Sequence, residues 1–186
     1  MAQDAPQVCL AVAGAEHPGD MPGIFHELGL GVQIVPHASL APVRAEGCAL
    51  LWIAAPSYPE PAELTRQALD TAAAVLARGG GVYAEFVTNF PEAPAGERVM
   101  KTGIARLFLK SPLDVPGALE AGTLFDEHDS YSMPFTAGGA WREVLSFARV
   151  AGVRRVLAEP RGEDAWPGLV MGTRGEGRFA VAGTNL

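Results

Sequence analysis

Charge is scarce in this sequence. Charged residues make up 19% of its 186 residues, only two of the fourteen cations are lysines, and the net charge is −7. No stretch of basic residues with interleaved aromatics is present. Because nucleic-acid binding relies on clustered lysine and arginine that neutralise phosphates, we expect no nucleic-acid partner.

Long apolar runs are also missing. No segment approaches the roughly 20 apolar residues that cross a bilayer, so we expect no membrane partner. The first residues differ from a secretory leader, because Asp4 stands where a positive charge is needed and the apolar run is short. The sequence therefore predicts a cytoplasmic protein. A leader cleaved before residue 1 is left open as an alternative.

Cysteine is limited to Cys9 and Cys48, each inside an apolar run. Two cysteines do not make a disulfide framework, and free cysteine is among the most buried residue types. We therefore expect two buried free thiols.

Glycine-rich cofactor motifs are absent as well. The segment VAGAEHPGD lacks the second and third glycines of GxGxxG, and the chain has neither a P-loop nor a G-x-S-x-G elbow. The glycines at 79–81 end a predicted helix and enter a strand, whereas a phosphate-binding loop opens a helix. The sequence predicts no cofactor.

The first half of the sequence alternates strand and helix patterns. Four apolar runs of strand length occupy residues 8–13, 32–35, 48–54 and 82–86. Helix signals separate them: a short pattern that Gly29 ends, and an apolar stripe over residues 61–78 that Gly79 follows. Unbroken apolar strands of this kind are typical of a parallel sheet covered on both faces by helices.

The second half predicts strands of another kind. They occupy residues 104–109, 146–150, 154–158, 168–172 and 178–183, and TRGEG joins the last two as a hairpin. We predict an α/β fold, a flavodoxin-like doubly wound, mostly parallel sheet with antiparallel strands added by the C-terminal half. We expect residues 1–186 to form a single domain. The end of the chain, directly after an apolar strand, favours a domain excised from a longer protein.

Ligands of doubly wound folds bind beyond the carboxyl ends of the strands. The loops predicted there hold polar groups beside aromatic rings, and the ligand-binding candidates are His17, Ser57, Tyr58 and Asn89. This combination suits a sugar or another neutral polyol. It is equally typical of turn-forming sequence.

The segment LFDEHDSYSMPF holds three carboxylates and a histidine in four consecutive positions. On a strand, Asp126 and His128 would share one face, and we expect them within reach of the loop after Glu85. Asp129 and Tyr131 are further ligand-binding candidates. A metal site here would need ligands from other elements, and no second histidine cluster exists, so no metal is predicted. The favoured alternative is a structural cluster or a solvated strand end.

Glu85 is a carboxylate at the end of an otherwise apolar strand. A buried carboxylate needs a partner, for which His128 or an arginine would serve. Glu85, Asp126 and His128 are therefore the catalytic candidates. A structural ion pair nevertheless explains Glu85 better than a general base does.

Three segments carry a resemblance to a known superfamily. They are LTRQALDTAAAVLARGGGVYAEF, SPLDVPGALEAGTLFDEHDSY and WPGLVMGTRGEGRFAVAGTNL. In their order and spacing they resemble the class I glutamine-amidotransferase-like superfamily, nearest to its ThuA-like and glycoside-hydrolase-associated branch. The resemblance implies a flavodoxin-like fold and a link with carbohydrate metabolism.

The chain departs from this superfamily at the catalytic positions. Glutamine amidotransferases carry a cysteine nucleophile after the strand that follows the glycine run, where this chain has Glu85 and Phe86. ThuA-like proteins tend to have histidines after that strand and after the final hairpin, where this chain has Glu85 and Thr184–Asn185. Without a placed thiolate we expect no glutaminase activity.

These observations predict a non-catalytic glutamine-amidotransferase-like domain associated with carbohydrate-active enzymes, acting in assembly or sugar binding. Two alternatives stay open. One is a ThuA-like sugar-processing enzyme that uses Glu85, Asp126 and His128, and the other is a purely structural oligomerisation module with a large exposed apolar patch. The expected partners are a carbohydrate ligand, other domains of the same polypeptide, or further copies of this chain.

Overall fold

The computed structural model describes residues 6–12, 20–54, 62–91, 100–101, 104–109, 124–128, 131–132, 141–148 and 165–183. The strands are β1 (Gln7–Val12), β2 (Gly31–Pro36), β3 (Cys48–Ala54), β4 (Gly81–Glu85), β5 (Met100–Lys101), β6 (Ile104–Leu109), β7 (Leu124–His128), β8 (Tyr131–Ser132), β9 (Trp141–Ala148), β10 (Ala165–Arg174) and β11 (Gly177–Ala182). The α-helices are α1 (Met21–Glu27) and α2 (Arg66–Ala77), and two 3₁₀ turns span His37–Ser39 and Pro42–Ala45.

Nine of the described strands form one sheet, in the order β2-β1-β3-β4-β11-β10-β9-β6-β7, while β5 pairs with β8. The five strands from β2 to β11 run parallel, and each of the remaining four runs antiparallel to the strand before it in this order. The predicted α/β class and its flavodoxin-like parallel part are confirmed. The strand β11 comes from the C-terminal half, yet it completes the parallel part beside β4.

The first helix follows the predicted signals. Pro22 stands in the first turn of α1, and Phe25 is the buried residue of the helix. Gly29 adopts φ +74°, a left-handed conformation that glycine reaches without steric cost, and the backbone N–H of Leu30 donates to the carbonyl of Phe25 at 3.0 Å. The chain then enters β2 at once.

The second helix is shorter than its apolar stripe predicts. It begins at Arg66 rather than at residue 61, because Thr65 is its N-cap and accepts a hydrogen bond from the backbone N–H of Ala68 at 3.2 Å. The residues before Thr65 are extended, and Ala62 forms a parallel bridge with Val87. Backbone pairing with the loop after β4 therefore takes the place of the first predicted helical turn.

The larger part of the core lies between α2 and the parallel strands. Ala68, Ala72, Val75 and Leu76 of α2 are at most 2% exposed. The end of this helix lies so close to β11 that a Cβ atom on Gly177 would overlap the backbone of Leu76. Only glycine permits this approach between helix and strand.

The two cysteines are joined to each other, so the prediction of free thiols is wrong. Cys9 of β1 and Cys48 of β3 form a disulfide with their Cα atoms 5.6 Å apart, an ordinary span for such a bond. They are 39 residues apart in sequence, and the pairing of β1 with β3 brings them together. Both are buried, at 0% and 7% exposed, as expected.

The hairpin signal TRGEG is confirmed, because β10 and β11 pair antiparallel around a turn that contains Gly175 at φ +60°. β9 begins at Trp141, five residues before the predicted strand start at 146. The strand predicted at 154–158 falls outside the described residues. Within the part of the chain that the structure describes, no helix is long and apolar enough to span a membrane.

Candidate functional site

The carboxyl ends of the parallel strands meet at one edge of the sheet, where doubly wound folds bind their ligands. β1 lies between β2 and β3, so the order of the strands reverses direction at this position. His17 follows β1, and Ser57 and Tyr58 follow β3. All three lie outside the described residues, and their role in ligand binding stays a prediction.

Glu85 is the last residue of β4 and lies at this edge. Its side chain is 4% exposed, which makes it, with Thr71, one of two buried polar residues in the described part of the chain. The hydroxyl of Tyr83 donates to Glu85 Oε2 at 3.3 Å. The two residues can meet because positions i and i+2 of a strand project from the same face. The expectation that this carboxylate would be buried with a partner is met by Tyr83.

An aromatic group continues from Tyr83 across the same face. Trp52 is the register partner of Tyr83, and their ring centroids lie 4.0 Å apart. Phe25 of α1 meets Trp52 edge to face, with centroids 5.1 Å apart. The indole Nε1 of Trp52 is buried and has no hydrogen-bond partner among the described residues. This face therefore combines a buried carboxylate, a phenol and an indole donor beside three aromatic rings.

Phe86 makes the sharp turn that ends β4. Its φ is +52°, which no other non-glycine residue among the described ones shares in sign, and its side chain is 0% exposed. Its backbone N–H donates to the carbonyl of Ala182 at 2.9 Å, and its carbonyl accepts from the N–H of Ala62 at 3.0 Å. Backbone pairing on both sides thus holds Phe86 in a conformation that costs a bulky residue about 1–3 kcal/mol.

Asn89 ties the loop after β4 to the segment before α2. Its Oδ1 accepts from the backbone N–H of Leu64 at 2.8 Å, and its Nδ2 donates to the carbonyl of Leu64 at 2.9 Å. The amide side chain therefore pairs with Leu64 as a strand backbone would. This pairing positions the loop, and contact of Asn89 with a ligand stays a prediction.

The polar cluster lies far from Glu85 along the sheet. Asp126 and His128 belong to β7, the edge strand on the opposite side from β2. Five strand spacings separate β7 from β4, which corresponds to about 24 Å in the plane of a sheet. The prediction that this pair lies within reach of the loop after Glu85 is not met by this strand order. Their alternation on a strand is as predicted.

Two further candidates flank β7 in sequence. Asp129 lies outside the described residues, and Tyr131 belongs to β8, where Lys101 of β5 is its register partner. Their part in ligand binding stays a prediction. The described side chains include no group of three or more histidine, cysteine or acidic residues that could hold a metal ion.

Sequence reasoning missed Tyr83 and Trp52 as neighbours of Glu85. The spacing of Tyr83 and Glu85 could have indicated their contact, because both stand on one predicted strand. Trp52 could be placed only with the register between β3 and β4. His37 was also missed: its Nε2 is buried without a hydrogen-bond partner among the described residues, and burial lowers the pKa of its imidazole.

The fold is that of glutamine-amidotransferase-like proteins. A GMP synthase subunit from Thermoplasma acidophilum and a glutamine amidotransferase from Methylobacillus flagellatus share it with this chain. No family model and no curated protein matches the sequence.

Three solved structures illustrate the match. The carbohydrate deacetylase Agd3 aligns over 98% of this chain and 29% of its own, with TM-score 0.64 and 12% identity. A β-galactosidase from Rahnella sp. R3 aligns over 97% of this chain and 29% of its own, with TM-score 0.61 and 10% identity. A ThuA-like protein from Bacteroides uniformis aligns over 98% and 84%, with TM-score 0.58 and 9% identity. The chain spans less than a third of the first two proteins, and identities this low show a shared fold alone.

Proposed function

We propose that this chain is an accessory domain of a carbohydrate-active enzyme, acting in assembly or sugar binding rather than in catalysis. The observation that carries the proposal is the turn after β4. Phe86 occupies the place where glutamine amidotransferases have their nucleophile, and its side chain is a fully buried hydrocarbon ring. A phenyl group can neither attack a carbonyl nor transfer a proton.

The position of the cysteines supports the same conclusion. The sulfur atoms of Cys9 and Cys48 are bonded to each other, and Cys48 is the first residue of β3, at the end of that strand away from Glu85. A disulfide sulfur is not a thiolate nucleophile. Neither cysteine is therefore available for acyl transfer at the end of β4.

The link with carbohydrate enzymes rests on the solved structures. Two of them are a carbohydrate deacetylase and a β-galactosidase, and in each the matching part is 29% of the protein. A fold that forms a minor part of two such enzymes is suited to an accessory role beside a separate catalytic domain. Fold likeness alone does not fix activity, so the proposal needs a direct test.

Sugar binding, where it occurs, is expected at the carboxyl edge of the sheet. A sugar offers hydroxyl groups to polar side chains and an apolar C–H face to aromatic rings. The Glu85 carboxylate and the Trp52 Nε1–H supply an acceptor and a donor there, and Tyr83 and Trp52 supply the rings. The same groups would serve no purpose in an assembly role.

The test is a paired assay on the purified chain. Binding of a panel of neutral oligosaccharides is measured by calorimetry, and hydrolysis or deacetylation of the same panel is followed by mass spectrometry. We expect no turnover of any sugar or of glutamine. Any binding should weaken in Glu85→Gln, while Glu176→Gln, an exposed carboxylate in the β10–β11 turn, serves as the matched control. Turnover that Glu85→Gln abolishes and Glu176→Gln keeps would overturn the proposal.

A second candidate, a ThuA-like sugar-processing enzyme, is favoured by one observation. Glu85 is a buried carboxylate at the ligand-binding edge, which is a common setting for a catalytic acid or base. The strand order counts against the full constellation, because Asp126 and His128 lie on the far edge strand. An enzyme of this kind would therefore have to use Glu85 without them.

A further inference from the structure

Three large hydrophobic side chains are strongly exposed among the described residues. Ile24 and Leu28, on and directly after α1, are 50% and 68% exposed, and Ile34 of β2 is 53% exposed. Single exposed apolar residues are ordinary, whereas a group of them in one place marks an interaction surface. These three side chains and the outer edge of β2 together form the β2-edge surface.

The sheet register places the three residues on the same side of the molecule. Ile34 is the register partner of Leu10, which in turn is the partner of Trp52. Trp52 contacts Phe25 of α1, so Ile34 projects from the face that α1 covers. Ile24 and Leu28 are four residues apart and form one apolar stripe along the helix, which lies against β2.

The outer edge of β2 has no strand partner among the described residues, because β2 ends the sheet order. Exposed edge strands normally carry lysine, other charged residues or bulges that prevent pairing with another chain. The sequence of β2 is GVQIVP, without an ionisable side chain, and its Pro36 stands only at the final position. The main-chain groups of the remaining five positions include those that would pair with a further strand.

We propose that the β2-edge surface is a dimer interface, in which β2 pairs antiparallel with β2 of a second copy around a two-fold axis. Such an axis brings each central residue of the strand next to its own equivalent, so an ionisable residue there would repel itself. β2 meets this requirement because it carries no charge. A partner of different sequence would ordinarily be selected by complementary charges, which this strand does not offer.

The same axis explains the exposed residues of the helix. An axis perpendicular to the sheet keeps α1 of both copies on one face, with the two Ile24–Leu28 stripes on either side of the paired strands. The three exposed side chains are then covered together, and the sheet continues from one copy into the next. This inference specifies the assembly role proposed above and rests on it, whereas sugar binding is independent of it.

The test is the mass of the 186-residue chain in solution, measured by sedimentation equilibrium up to about 100 µM. We expect a dimer. Ile34→Lys places two like charges beside each other at the centre of the interface and should raise the dissociation constant by at least about 100-fold. A mixture of Ile34→Lys and Ile34→Glu should regain dimers, because position 34 then meets an opposite charge across the axis. Leu28→Glu should weaken the dimer independently of the strand edge.

Thr173→Lys is the matched control, since Thr173 is an exposed position on β10, away from this surface. It should leave the dissociation constant unchanged. A wild-type chain that stays monomeric, a closed trimer, or an Ile34→Lys variant that dimerises as the wild type does would each overturn the inference. A monomeric chain that still binds sugar would overturn the dimer and leave the proposed function standing. Turnover by a dimeric chain would do the reverse.

Discussion

The strained turn at Phe86 joins two opposing free-energy contributions in one residue. The buried phenyl ring stabilises the core, while the positive φ destabilises the backbone of any residue other than glycine. The two contributions can be separated by substitution, because alanine and glycine both remove the ring and only glycine relieves the backbone.

We predict that Phe86→Ala lowers the free energy of unfolding by about 3–5 kcal/mol. Phe86→Gly should be the more stable of the two variants by up to about 1 kcal/mol, because glycine reaches positive φ without steric cost. Urea denaturation measures both. Ala84→Gly is the control two residues earlier in β4, where glycine should destabilise. An Ala variant at position 86 more stable than the Gly variant would contradict the assigned strain.

His37 makes stability depend on pH in a defined direction. Its Nε2 is buried without a hydrogen-bond partner among the described residues, and burial holds the pKa of the folded state below the ordinary 6.5. Below that value the unfolded chain binds the proton more readily than the folded one. The contribution of His37 is therefore fully present above the unfolded pKa and is lost as the pH falls below it.

We predict that the wild type loses more stability than His37→Gln between about pH 7.5 and pH 5.5. Thermal unfolding at the two pH values measures this difference. His26→Gln is the control, because His26 is exposed on α1 and its substitution should leave the pH dependence as in the wild type. Equal losses in the wild type and in His37→Gln would show that the imidazole is not held neutral by burial.

At the scale of elements, the pairing between the loop after β4 and the segment before α2 has no counterpart in local sequence patterns. The pattern over residues 61–78 is helical throughout, yet the structure extends the chain up to Thr65. The cause is non-local, since Val87 and Asn89 supply backbone-like partners to Ala62 and Leu64. A single-sequence pattern records helix propensity and cannot record such a competitor.

We predict that Asn89→Asp destabilises the protein by about 1–3 kcal/mol. Aspartate keeps the size and the acceptor oxygen of asparagine but has no N–H for the carbonyl of Leu64, and it places a carboxylate against that carbonyl. Chemical denaturation measures the loss. Asp70→Asn, an opposite exchange at an exposed ion pair with Arg66, should change stability far less. Similar losses in both would argue against the loop pairing.

Other elements followed their local signals closely. β3 and β6 begin and end where their apolar runs do, and Gly29 and Gly175 mark the turns that glycine predicts. The candidate site was only partly predictable. The pattern of β4 places Glu85 at the end of the strand, but the left-handed turn falls on a phenylalanine, which carries no signal for positive φ. The distance from Glu85 to Asp126 depends on a strand order that parity and spacing do not determine.

At the scale of the whole molecule, the disulfide joins strands that are neighbours in the sheet but 39 residues apart in sequence. Closing a loop of this length restricts the unfolded chain and stabilises the folded one by about 2–4 kcal/mol. Both half-cystines are buried, so reductant acts chiefly on the opened chain.

We predict that a reducing agent lowers the urea midpoint of the wild type and leaves that of a Cys9→Ala, Cys48→Ala double variant unchanged. The expected difference in the free energy of unfolding is about 2–4 kcal/mol. Mass spectrometry after thiol alkylation gives the bond directly, with no free thiol expected in the native protein. Two alkylated cysteines in the folded, non-reduced chain would contradict the bond.

The place of β11 has a consequence for synthesis on the ribosome. β11 follows every other described strand in sequence, yet it lies between β4 and β10 in the middle of the sheet. Until residues 177–182 have emerged, β4 presents an unpaired, apolar edge, and the parallel and antiparallel parts have no strand to connect them. The nascent chain must therefore keep two half-sheets apart from other chains while it waits for its central strand, which makes slow folding and chaperone contact expected features of its biogenesis.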